Sequence, residues 1–226
     1  MKTTATARIA SGRSVGLLRN RDYALLLVSQ AGSFLGDRVH FVALSLWLYA
    51  MTGSALTISL AIAALTAGQI AFGVLGGALV DRWPRKTVMI GADILRAGLV
   101  AALPWLGHVG LWAVYADLVL VAAASSVFRP ALLAVVPAVA DRERLLAANS
   151  LLAAVETGSE VVGPLIAGVV VTVWGPEAGL YFDAATFLWS GLLLIGLRTG
   201  TERTGAGTGG GVLREIREGV RLVLGT

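Results

Sequence analysis

Apolar residues in this chain fall in long, nearly unbroken runs, without the alternation of a half-buried strand or the single stripe of a soluble helix. Six such runs cover 23–49, 55–80, 87–107, 111–139, 145–173 and 179–197, and each is long enough to cross a bilayer as a helix of about 20 residues. The pattern therefore predicts an all-α membrane protein with six transmembrane helices. Polar residues gather between the runs. Met51-Thr52-Gly53-Ser54, Gly107-His108-Val109-Gly110 and Trp174-Gly175-Pro176-Glu177 join spans one to two, three to four and five to six, and none holds Lys or Arg. The alternate connectors carry Arg82, Arg85 and Lys86, then Arg142 and Arg144. Basic residues mark the cytoplasmic side of a membrane protein, so both termini are expected there, at the inner cell membrane.

The ends differ from the middle. Residues 1–22 carry Lys2, Arg8, Arg13, Arg19 and Arg21 among Thr, Ser and Ala, and read as a cytoplasmic basic tail rather than a cleaved leader. The six-helix bundle occupies 23–197. Residues 198–211 are rich in Gly and Thr, a flexible linker. In 212–226, Leu213, Ile216, Val220 and Val223 share one helical face, with Arg214, Arg217, Glu218 and Arg221 opposite; this predicts an amphipathic helix on the cytoplasmic membrane surface.

Composition narrows the function. Hydrophobic residues make up 56% of the 226 and charged residues only 14%, about half the charged share of a soluble domain. Mean hydropathy is +0.78. The lipid bilayer is thus the first partner. The net charge of +4 follows the membrane topology and forms no basic patch with interleaved aromatics, which argues against nucleic acid. Without cysteine, and with only His40 and His108 as imidazoles, the chain lacks the donors of a zinc enzyme, and no metal or cofactor is expected. An intramembrane serine protease is disfavoured too: no Gly-x-Ser-Gly lies in a span, and span six holds no His to act as base.

The connector between spans two and three reads Gly-Ala-Leu-Val-Asp-Arg-Trp-Pro-Arg-Lys over 77–86. With Gly77, Asp81, Arg82, Arg85 and Lys86 so placed, the chain resembles the amino-terminal half of a major facilitator superfamily transporter, whose signature there is a small residue, then Asp-Arg, then Arg-Lys. Pro84 replaces the usual glycine and stiffens the turn, leaving the charged positions intact. Gly158, Gly163, Pro164 and Gly168 in span five are similar to the glycine-proline motif of proton-coupled antiporters. Asp93 with Arg96, Phe128-Arg129-Pro130, Ala148-Asn149-Ser150 and Asp183-Ala184-Ala185-Thr186-Phe187 resemble the macrolide-efflux and siderophore-exporter branch.

The resemblance implies half of a twelve-span fold, built as two inverted three-helix repeats. It implies no enzyme but multidrug-type efflux of a small organic molecule, a drug or siderophore, by proton antiport. The missing wall of the cavity would come from a separate second half or from a homodimer. Alternatively, the chain is a truncated product that is inactive alone.

Ionised groups inside spans are costly, at least about 2.5 kcal/mol each, and need partners. At 1.5 Å per residue Asp37 lies roughly 20 Å into span one and Arg129 roughly 15 Å from the cytoplasmic end of span four. Spans one and four line the cavity in the family resembled, so Asp37 and Arg129 are expected to pair, either as part of the substrate or proton pathway or to fix helix register. Glu156 and Glu160, four residues apart on span five, share a face and are expected to hold one proton between them or to be hydrated in a polar funnel. Asp93 and Arg96 are spaced to pair within span three as a structural motif. The glycines of span five serve close helix contact, with Pro164 as a bend. In the 77–86 loop, Asp81 is expected to bond Arg85, with Asp141 joining them; the resemblance implies a latch that closes the cytoplasmic side. His40 and His108 carry no expected role.

Overall fold

The computed structural model describes residues 17–80 and 83–198. The tail before 17, Asp81, Arg82, the linker and the surface helix proposed for 212–226 lie outside the described residues. Among the described residues there are six long α-helices and no strand: α1 (Arg21–Thr52), α2 (Ala55–Val80), α3 (Arg85–Val109), α4 (Leu111–Val139), α5 (Leu145–Trp174) and α6 (Pro176–Ile195), with a short 3-10 turn, Arg142–Arg144, before α5. Five of them, α2 to α6, are long and apolar enough to cross a membrane. Polar and charged residues within α1, among them Asp37, Arg38 and His40, keep it from joining that set by composition.

Each helix begins and ends where local chemistry dictates. The Asn20 side chain accepts the amides of Asp22 (3.0 Å) and Tyr23 (3.4 Å), which caps α1. At its other end Gly53 takes φ 63°, and its amide donates to Tyr49 O at 2.8 Å, a left-handed helix stop that glycine adopts at little cost. The connectors without basic residues are shorter than the sequence suggested. Gly107, His108 and Val109 continue α3, so Gly110 alone separates α3 from α4, and Gly175 alone separates α5 from α6. Likewise α2 runs on through Gly77 to Val80 and α3 opens at Arg85, which confines the basic loop to 81–84.

Packing divides the helices into two interlocked sets. The α1 helix lies against α5 and α6, α4 lies against α2 and α3, and α3 meets α6. Two apolar cores result. One gathers Tyr23, Leu26, Met89, Phe128, Ala131, Val135 and Leu194 toward the end that carries the basic loops. The other gathers Ala43, Trp47, Leu48, Val100, Leu103, Leu118, Leu180 and Phe187 toward the opposite end. Ile70, Trp105, Trp112, Leu146, Leu165 and Trp174 stay exposed, as expected of a bundle solvated by lipid.

Close approach of α1 to α6 depends on glycine. A Cβ on Gly36 would overlap the Thr186 hydroxyl and press on Asp183, and one on Gly179 would overlap Ala43. Small residues set this contact distance where the hydrophobic effect gives little drive between helices.

Candidate functional site

Between the two cores lies a layer of polar side chains that opens on a cavity of about 550 Å³. Its lining includes Asp37, Arg38 and His40 from α1, Ser125 and Arg129 from α4, and Glu156 from α5. Arg96 of α3 and Asp183 of α6 also reach it.

Arg129 forks onto Glu156: Nη1 donates to Oε1 at 2.8 Å and Nη2 to Oε2 at 3.4 Å. Arg38 Nη2 donates to Glu160 Oε1 at 2.8 Å. These pairs replace two expectations. Arg129 does not reach Asp37, because α5 presents Glu156 to it first. The two glutamates do not face each other; each faces its own arginine, one from α4 and one from α1. Asp37 is exposed to the cavity and makes no ion pair among the described residues.

Asp93 and Arg96 do pair, three residues apart on α3 and almost wholly buried. The Arg96 guanidinium also lies between two aromatic rings, 4.3 Å from the Phe128 centroid and 4.2 Å from that of Phe187. Phe128 belongs to one apolar core and Phe187 to the other, so a cation–π sandwich joins them through the polar layer.

His40 and Asp117 were given no part by the sequence. His40 Nδ1 lies 3.0 Å from Asp183 Oδ2, linking α1 to α6. Asp117 of α4 is buried, and its Oδ2 has no hydrogen-bond partner among the described residues. A signal did exist in each case: Asp117 is a lone acid in an apolar run, and His40 follows Asp37 by about one helical turn.

The glycine-proline segment divides. Gly163 packs against the stem of Arg38, where a Cβ would overlap the arginine's own Cβ, while Gly158 and Gly168 have open space around them. Pro164 lies inside α5.

At the basic end, Arg85 Nη1 donates to Ala134 O at 2.8 Å. Lys86 Nζ donates to Ile195 O (2.8 Å) and Leu197 O (2.7 Å), and Arg21 Nη1 donates to Gly196 O (3.2 Å). Two cations thus sit on the carbonyl end of α6, where the helix dipole favours them. Asp141 lies 3.7 Å from Arg144, its neighbour in the 3-10 turn. The expected bond from Asp81 to Arg85 falls outside the described residues.

A family profile described as Major Facilitator Superfamily matches residues 26–224. The chain is 29% identical over 218 residues to YfiS of Bacillus subtilis, described as an uncharacterized MFS-type transporter, covering 92% of this chain and 50% of that protein. It is also 29% identical over 157 residues to macrolide efflux protein A of Streptococcus pyogenes, covering 68% of this chain and 39% of the relative. The chain therefore spans about half the length, or less, of the curated relatives it matches. Among solved structures, the peptide transporter POT bound to sulfate superposes with a TM-score of 0.69 at 16% identity, over 91% of this chain and 44% of that one. The same transporter as an E310Q mutant with alafosfalin gives 0.65 at 14% identity, over 90% and 44%. These likenesses are to membrane transporters and not to enzymes, and the profile covers most of the sequence. The chain belongs to the Major Facilitator Superfamily.

Proposed function

We propose that this chain is the amino-terminal, six-span half of an exporter that moves a small organic molecule across the cell membrane in exchange for protons. The observation that carries the reading is the midlevel cavity, which holds an unpaired acid, Asp37, beside two arginine–glutamate pairs. A group that can change its charge beside a space of substrate size is what exchange against protons needs. Likeness to macrolide efflux protein A supports export of an amphipathic drug-like molecule.

In this reading all six helices span the membrane, α1 included, because its charged residues face the other helices and the cavity rather than lipid. Basic loops then put both termini in the cytoplasm. Two inverted three-helix repeats are supported by the packing: moving each helix three places along exchanges the α1 contacts with α5 and α6 for those of α4 with α2 and α3. Asp37, Arg129, Glu156 and Glu160 form the substrate side of the path. Gly77, Asp81, Arg82, Arg85, Lys86 and Asp141 form the cytoplasmic latch, and residues 198–226 lead into the second half. That half, or a second copy of this chain, closes the open wall.

Reconstitution in lipid vesicles tests the reading. A radiolabelled macrolide should leave vesicles against an imposed pH gradient when the chain is present with its second half. Loss of the gradient should stop the movement. Equal rates with and without the gradient would refute proton exchange, and no movement at all would favour an incomplete product.

A further inference from the structure

The glutamates first assigned to the proton each face an arginine, so their charge is already compensated. A different group in the same layer is not. His40 is 8% exposed, Asp183 1% and Asp117 4%, yet they bring one imidazole and two carboxylates together from α1, α6 and α4. His40 Nδ1 lies 3.0 Å from Asp183 Oδ2, and both His40 ring nitrogens and Asp117 Oδ2 are buried without hydrogen-bond partners among the described residues. Asp117 lies within electrostatic range of the imidazole.

Burying an imidazolium is costly, but two buried carboxylates beside the ring, one with an unpartnered oxygen, offset that cost by their attraction for its charge. Neither ring nitrogen has a hydrogen-bond partner among the described residues, so the one that carries no hydrogen can take a proton from the cavity, which His40 lines, and the ring then stands with Nδ1 3.0 Å from Asp183 Oδ2. Imidazole becomes imidazolium, no other bond changes, and the new charge stands beside carboxylates.

We propose that His40, held by Asp183 and accompanied by Asp117, is a proton-binding site at the junction of α1, α4 and α6. The site deepens the antiport reading and rests on it for its purpose: it supplies, beside Asp37, a second place where the exchange takes up a proton. Every charged group around it has a place. Asp37 and Arg38 lie beside it on α1, and Arg96 of α3, already joined to Asp93, lines the same cavity. Asp117 comes from α4 and Asp183 from α6, while Glu156 and Glu160 of α5 are engaged by Arg129 and Arg38. The α2 helix contributes no titratable residue. Gly36 makes the site possible, since a side chain there would overlap Thr186 and push on Asp183. Separation of α1 from α6 would therefore break the His40–Asp183 contact and release its hold on the proton.

The sequence has only two histidines, so nitrogen-15 histidine NMR of the untagged chain in detergent reads the site directly, with His108 as internal control. The expected result is that Asp183→Asn or Asp117→Asn moves the His40 titration by about one pH unit or more, a tenfold change in proton affinity. His108 should stay in place, and Asp183→Glu should restore the His40 curve. A His40 curve that coincides with that of His108 and is unmoved by either asparagine would overturn the proposal. Circular dichroism separates misfolding from a true effect, and if Asp183→Asn does not fold, Asp117→Asn and Asp183→Glu decide. In vesicles, His40→Gln should abolish efflux of a radiolabelled macrolide driven by a pH gradient but keep macrolide–macrolide exchange. Intact gradient-driven efflux in that variant would also overturn it. If the unaltered protein moves no macrolide while the NMR shifts appear, the transport reading fails and the proton site stands.

Discussion

Arg129 holds Glu156, not Asp37, although Asp37 and Arg129 line one cavity. The guanidinium is satisfied by a forked bond to the neighbouring helix, and the acid on α1 is left facing the cavity alone. An acid so placed can answer a cation or a proton without first breaking an existing pair.

Asp37→Asn keeps the shape of the side chain and removes its charge. In the proposed exporter, gradient-driven transport should fall tenfold or more, about 1.4 kcal/mol on the rate-limiting barrier. Membrane insertion and thermal midpoint should stay as they were. Unchanged efflux in vesicles would take Asp37 out of the path.

Burial decides which ion pairs matter for stability. Asp93 and Arg96 are 0% and 5% exposed at their side chains, whereas Arg38 and Glu160 are 40% and 54%. Arg96→Leu strands a buried carboxylate and empties the space between two aromatic rings, and should cost about 3–5 kcal/mol. Glu160→Gln should cost less than about 1 kcal/mol. Thermal or detergent unfolding of the two variants side by side checks the order.

The glycines should separate in the same way. Gly36→Ala forces α1 away from Thr186 and should destabilise by about 1–3 kcal/mol. Gly158→Ala meets nothing within 4 Å and should change stability by less than about 0.5 kcal/mol. Equal midpoints for the two variants would refute the close α1–α6 crossing.

Lys86→Met removes one bond to the last carbonyl of α6, Ile195 O, and one to Leu197 O just beyond it, while keeping most of the side chain's length. A loss of about 1–2 kcal/mol is expected from the charged bonds and the helix end together. Faster hydrogen exchange should appear at Gly196 and Leu197 before it appears in the core of α6.

Much of this fold was legible in the sequence because a long apolar run has one economical use. The six runs became six helices, displaced at their ends by two or three residues where Asn20 and Gly53 set the caps. Depth was legible too, since rise per residue is fixed, and Arg129 and Asp37 do reach the same layer. Which side chain meets which was not, because pairing depends on the rotation of each helix about its axis. That is why Glu156 took the place of Asp37. Asp117 is a single polar residue in an apolar stretch and His40 a lone imidazole behind Asp37 and Arg38, so neither names its partner; only the α1–α4–α6 packing reveals what surrounds them.

The turns away from the basic loops are almost nothing: Gly53-Ser54, Gly110 and Gly175. On that face a protease finds no exposed strand of backbone to cut, an antibody finds hardly any epitope, and an inserted tag would have to split a helix. Reagents meant to grip or report on this chain must approach from the opposite face, where the 3-10 turn before α5 lies.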